Sequence, residues 1–174
     1  MLKSLLALLG IVLLFTTSCK KESKNDGNTD YYVKIKKNGA WVSFPAVAGE
    51  LGPDLGNSAL IDLGVTAAST NGNERFDLTV QLSGTTFPIG TYTSDNPNYQ
   101  TDVTFVLDNA ADLSYYDIGD APNLAPSKYT INITAITAET LTGTFTGNYL
   151  YDSFANTGAV VNITEGEFYV KRIR

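Results

Sequence analysis

The densest concentration of groups able to do chemistry runs from Asp108 to Asn123, where Asp108, Asp112, Asp117 and Asp120 surround the pair Tyr115-Tyr116. Clustered carboxylates suit calcium, which takes oxygen ligands, but their spacing does not match an EF-hand loop. Carboxylates beside aromatic rings also suit a sugar, whose C–H faces lie on the rings while its hydroxyls donate to the carboxylates. The stretch from Asp108 to Ser127 reads as one connection, and connections of that length in compact domains carry function or stay unstructured. Asp112, Tyr115, Tyr116, Asp117 and Asp120 therefore form the candidate ligand loop. The competing expectation is a solvated acidic connection with Tyr115 or Tyr116 plugging the end of the core.

A second reactive group is Cys19, the one cysteine of the chain. Ahead of it stand a short positive start, Met1-Leu2-Lys3, an apolar run from Leu5 to Phe15, and the small residues Thr16-Thr17-Ser18. As a helix the run reaches about 16 Å, half of a bilayer's hydrocarbon core, which fits a secretory signal better than a membrane span. Residues 1–18 are thus expected to be a signal peptide of the lipoprotein type, with Cys19 acylated. Thr16 stands where Leu is usual in that motif. One acyl chain binds a membrane marginally and two or three hold it. Residues 19–30, polar and rich in Lys, Asn and Asp, read as a disordered tether. Lys20-Lys21-Glu22 resembles an export signal to the outer face of the outer membrane. The expected location is therefore the outer membrane, lipid-anchored and facing the cell surface, with a periplasm-facing anchor as the alternative.

Composition removes much other chemistry. The 174 residues include no His, so imidazole bases, Ser-His-Asp triads and histidine-ligated zinc are excluded. One Cys allows neither an internal disulfide nor a four-thiolate metal site. With 12 Lys and Arg against 18 Asp and Glu, and a net charge of -6, a nucleic-acid partner is not expected. Carboxylate-based glycosidase chemistry remains open, but this many acids guarantees some close pair, so the pair carries no weight. No GxSxG, P-loop or GxGxxG motif occurs. No catalytic, metal-binding or cofactor-binding residue is expected, and no cofactor.

The elements that position these groups are strands. Phe76, Leu78, Val80 and Leu82 alternate with polar residues, as do Val103, Phe105 and Leu107, then Tyr129, Ile131 and Ile133, then Leu141, Phe145, Tyr149 and Tyr151. Period-two alternation marks half-buried antiparallel strands, and abundant Thr with 10 Tyr suits a pleated surface. Asn38-Gly39 is the strongest hairpin signal. It pairs Ile35 with Val42 and Val33 with Phe44 on one face, leaving Lys36 beside Trp41 on the other. Ser58–Ala68 reads as a further strand. In the last strand Val161 and Ile163 are apolar at odd positions and Phe168 and Val170 at even ones, so a β-bulge is expected at Gly166, where a positive φ would make a β-branched replacement strained. Bases gather at the chain's two ends, in Lys34, Lys36, Lys37, Lys171, Arg172 and Arg174. They form an edge that discourages sheet-to-sheet pairing or, alternatively, touches anionic headgroups. The expectation is an all-β fold for residues 31–174, a single domain. Its form is an antiparallel β-sandwich of about eight or nine strands, largely hairpin-connected, with a meandering β-barrel as the alternative.

The order of short motifs carries a resemblance. A lipobox and Lys/acid tether precede Lys34-Ile35-Lys36-Lys37-Asn38-Gly39-Ala40-Trp41, then Gly90-Thr91-Tyr92, Tyr129-Thr130-Ile131-Asn132-Ile133-Thr134, Leu141-Thr142-Gly143-Thr144-Phe145 and Val161-Asn162-Ile163-Thr164-Glu165-Gly166-Glu167-Phe168. The chain resembles the small, uncharacterised β-rich lipoproteins of Bacteroidetes over most of residues 31–172. The resemblance implies the compartment and the fold class and supplies no catalytic residues. The expected role is a non-enzymatic binding or envelope-interaction module held to the membrane by lipid on Cys19, with a glycan or an envelope protein as partner. The alternative is a surface glycan-binding accessory protein of an outer-membrane uptake system.

Overall fold

Alternation of apolar and polar residues makes strands the regular elements of the described residues. The computed structural model describes residues 31–109, 112–119, 124–152 and 158–174, and not the side chains of residues 108, 109, 112 and 113. Cys19, the signal segment, the tether and Asp120 lie outside the described residues. In chain order the strands are β1 (Tyr32–Lys37), β2 (Ala40–Phe44), β3 (Ala46–Pro53), β4 (Leu60–Ala68), β5 (Glu74–Ser83) and β6 (Gly90–Thr93). They continue with β7 (Tyr99–Asn109), β8 (Asp112–Asp117), β9 (Thr130–Ile136), β10 (Thr140–Thr146), β11 (Tyr149–Asp152) and β12 (Val160–Lys171). The fold is all-β and antiparallel, with twelve strands among the described residues rather than eight or nine.

One half of the sheet runs β2-β1-β12-β10-β9-β6 and the other β3-β4-β5-β7-β8-β11. The halves face each other, with Phe76 of β5 stacked on Phe145 of β10 at 5.2 Å between ring centres. They are not separate sheets, because β12 pairs with β11 at Val160–Asn162 and then with β10 from Glu165 onward. The end of the chain closes the opposite side. Ile173 N donates to Gly49 O at 2.8 Å and Leu51 N to Arg174 O at 3.0 Å, so the last residues run parallel to β3. Gly49 permits this approach, since a Cβ there would lie 2.6 Å from Val170 and 2.9 Å from Leu141.

The β1–β2 hairpin has the expected register, with Ile35 opposite Val42, Val33 opposite Phe44 and Lys36 opposite Trp41. Asn38 and Gly39 both take positive φ, 49° and 85°, which gives the turn a twist matching the strands. Asn38 also anchors the turn, its side chain accepting from Asn162 N at 3.0 Å.

The phase slip in β12 is present as one extra residue, placed just before Gly166 rather than at it. Against β1 the pairing passes from Gly166–Ile35 to Ile163–Lys37, so the extra residue lies at Thr164–Glu165. Gly166 itself has no positive φ. It is needed because a Cβ there would fall under 3.0 Å from Phe145 Cε1 and Cζ. The partner edge turns at the same place, where Gly147 separates β10 from β11 and lies against the Tyr129 ring. The slip is the corner at which β12 passes from one half of the sheet to the other. The buried Tyr129 hydroxyl pins it by donating to Ile163 O at 2.8 Å.

Candidate functional site

The segment read as a ligand loop contains a strand. Asp112–Asp117 pairs antiparallel along β7, with Asn109 opposite Asp112 and Phe105 opposite Tyr116. Successive side chains of a strand point to opposite faces. Tyr116 therefore enters the core, 8% exposed, with its ring 6.4 Å from Phe105. Tyr115 lies half-buried on the outer face. Asp112 and Asp117 stand at opposite ends of β8, about 17 Å apart at strand rise, too far to meet on one ion. Asp117 lies across from Tyr151, and its charge reaches Asp102 on β7. Among the described residues no group of three His, Cys, Asp or Glu is placed to hold a metal ion.

The outer face of β4, β5, β7 and β8 is the acidic side. Desolvation holds Asp77 above the ordinary carboxylate range, opposed by a hydrogen bond from Thr66 and by the Arg75 charge. Desolvation also raises Asp102, with the Asp117 charge adding to it and a Thr104 hydrogen bond at 3.2 Å opposing it. An open cleft of about 460 Å³ beside them is lined by polar groups, including Gln81, Gln100 and Asp102, and by Tyr99, whose ring turns inward against Tyr92.

The opposite half presents a different surface. On β1 the inward Val33 and Ile35 are fully buried, so Tyr32, Lys34 and Lys36 point out. The register then builds rows across the strands. Ser43, Lys34, Glu167, Thr144, Asn132 and Thr91 are successive neighbours from β2 to β6. In a second row Trp41 adjoins Lys36, Glu165 adjoins Thr146, and Thr130 lies between Thr146 and Thr93. Lys36 bridges the bulge to Glu165 at 2.5 Å.

Among the described residues Trp41 is the one strand-borne member of the exposed large apolar side chains, 55% accessible on edge strand β2. With Lys34 and Glu167 it lines a shallow cleft of about 280 Å³. Lys34 is held from two sides, 3.0 Å from Glu167 and 4.4 Å from the centre of the Tyr32 ring. The hydrogen bond and charge of Glu167 raise the Lys34 pKa, so the ammonium stays charged at neutral pH. Tyr169 lies between Tyr31 and Tyr32, at 5.4 and 6.5 Å, with the rings tilted by 37° and 53°. The tyrosines are a packed cluster rather than a flat platform, and Trp41 is the ring open to a ligand.

Most bases of the terminal strands are paired within the fold. Lys34 pairs with Glu167, Lys36 with Glu165, Lys37 with Glu74, and Arg174 with Glu50. The Arg172 guanidinium donates to Leu51 O at 3.1 Å. These charges are satisfied within the fold, which reduces their attraction for an anionic surface. The hairpin signal located Trp41 correctly, opposite Lys36, but exposed aromatics also occur as ordinary cross-strand filler. Only the pairing of β1 with β12 brings Glu165, Glu167 and Tyr169 beside it. Comparison with known proteins gives no match to a family model, a curated sequence or a solved structure, so the functional reading stands on this geometry alone.

Proposed function

We propose that the chain is a lipid-anchored binding module of the outer membrane that contacts carbohydrate through the outer face of β2, β1 and β12, without catalysis. The observation that carries this reading is Trp41, an indole more than half exposed on a regular strand beside the paired charges of Lys34 and Glu167. Burying an indole that water now covers is favourable, and a sugar's C–H face supplies an apolar surface of the right size. Lys34 donates and Glu167 accepts, which serves the hydroxyls at the sugar's rim. The anchor rests on the sequence around Cys19, and the surface location on Lys20-Lys21-Glu22. A carbohydrate role agrees with the accessory-protein alternative, moved from the 108–123 segment to the Trp41 face.

A glycan array probed with the full chain in detergent tests the reading. Wild-type protein should give a defined set of positive sugars, and Trp41→Ala should lose them while its melting temperature stays within about 2 °C, because an exposed side chain contributes little to stability. A Trp41→Ala protein that binds as wild type does would overturn the assignment of the face.

A further inference from the structure

Resting on that reading, we propose that the ligand is an extended, soluble, uncharged glycan chain lying across the strands along the row from Ser43 on β2 to Thr91 on β6, with Trp41 flanking its Lys34–Glu167 end. The rows described above supply the track. Neighbouring strands stand about 4.8 Å apart, so six strands span about 24 Å. A pyranose unit is about one strand spacing long, so each successive unit meets an equivalent outward side chain.

The chemistry along the track changes from one end to the other. At β2 and β1 it offers an indole and a charged pair; at β10, β9 and β6 it offers Thr144, Asn132 and Thr91. Hydroxyl and amide groups both donate and accept, as sugar hydroxyls do. Thr91 already donates toward the Asn132 amide oxygen at 3.4 Å, a long contact that leaves both groups exposed to a ligand.

Two further observations narrow the class. Lys34 and Lys36 are matched by Glu167 and Glu165, so the middle of the track has no net charge to select an ionic ligand. The chain as a whole carries -6, which disfavours polyanions. Adjacent strands also rotate by about 20°. A ligand that follows a row must turn with the sheet, and a single chain flexible at its linkages can do so where a crystalline surface cannot.

The experiment is a chain-length series on the full protein in detergent, using neutral β-1,4-linked gluco-, manno- and xylo-oligosaccharides from dimer to hexamer. At least one series should bind, with the hexamer about tenfold or more tighter than the dimer. Thr144→Val with Asn132→Val places strand-compatible side chains at both positions and removes the polar groups. It should reduce that ratio to about threefold or less while leaving dimer affinity and melting temperature near wild type. Thr144→Val alone serves if the double variant does not fold. A hexamer that binds no better than the dimer, or a ratio unchanged in the valine variants, would overturn the extended track while leaving the Trp41 site standing. Binding that survives Trp41→Ala, or no binding in any series, would overturn both. Retention on crystalline cellulose in place of the soluble chains would overturn the single-chain assignment.

Discussion

Replacing Gly166 by Ala tests the account of the sheet's corner. Gly166 has no positive φ, so Ala fits the backbone there without strain. With room for a methyl group, the change would stabilise the fold by about 0.4–1 kcal/mol through the unfolded state. The new Cβ would instead fall under 3.0 Å from three atoms of the Phe145 ring. Phe145 is 1% exposed, stacked on Phe76 at 5.2 Å and 6.2 Å from Tyr129, and has nowhere to retreat. Overpacking costs about 1–3 kcal/mol, and disturbing the ring stack adds about 0.5–1.5 kcal/mol. After the unfolded-state gain is subtracted, the net loss is about 2 kcal/mol. For a domain of this size that lowers Tm by about 6 °C. Urea and thermal melts of wild type and Gly166→Ala measure it. Phe145→Leu should destabilise alone yet relieve the clash, so the double variant should cost at least about 1 kcal/mol less than the sum of the single ones. A Gly166→Ala protein that melts at or above wild type would refute the steric argument.

The other predictions concern separate parts of the molecule. Desolvation raises the Asp77 pKa in the fold above its unfolded value of about 3.9, so native protein holds that proton more tightly. This contribution to stability is fully present below the unfolded pKa and lost as pH rises through the folded one. Asp77→Asn should therefore equal or exceed wild type in stability at pH 7 and lose that advantage toward pH 3, as melts across this range will show. Tyr129→Phe removes the buried hydrogen bond to Ile163 O and should cost about 1–2 kcal/mol in urea unfolding; no change would mean that the corner is held by packing alone. Metabolic labelling with a fatty-acid probe should mark wild type and not Cys19→Ala, and labelling that persists in the variant would remove the acylation site.

What the sequence determined by itself was local. Alternation in segments such as Phe76–Leu82 sets strands, because a two-residue period has one buried face to satisfy. Asn38-Gly39 sets a turn and thereby a register, since only a few residues tolerate positive φ at both positions. Parity even reported that β12 slips in phase between Ile163 and Phe168. The tertiary structure decided the rest. Ala46–Pro53 carries two glycines and weak alternation, and becomes a strand because β4 and the chain's last residues pair with it. Asp112–Asp117 has a loop's composition, yet open hydrogen-bonding edges on β7 and β11 recruit it into the sheet. That recruitment separates Tyr115 from Tyr116 and removes the convergence expected of a ligand loop. The face around Trp41 draws on β2, β1 and β12, segments more than a hundred residues apart in the chain. Local periodicity states which way a side chain points, but only long-range pairing states what stands beside it.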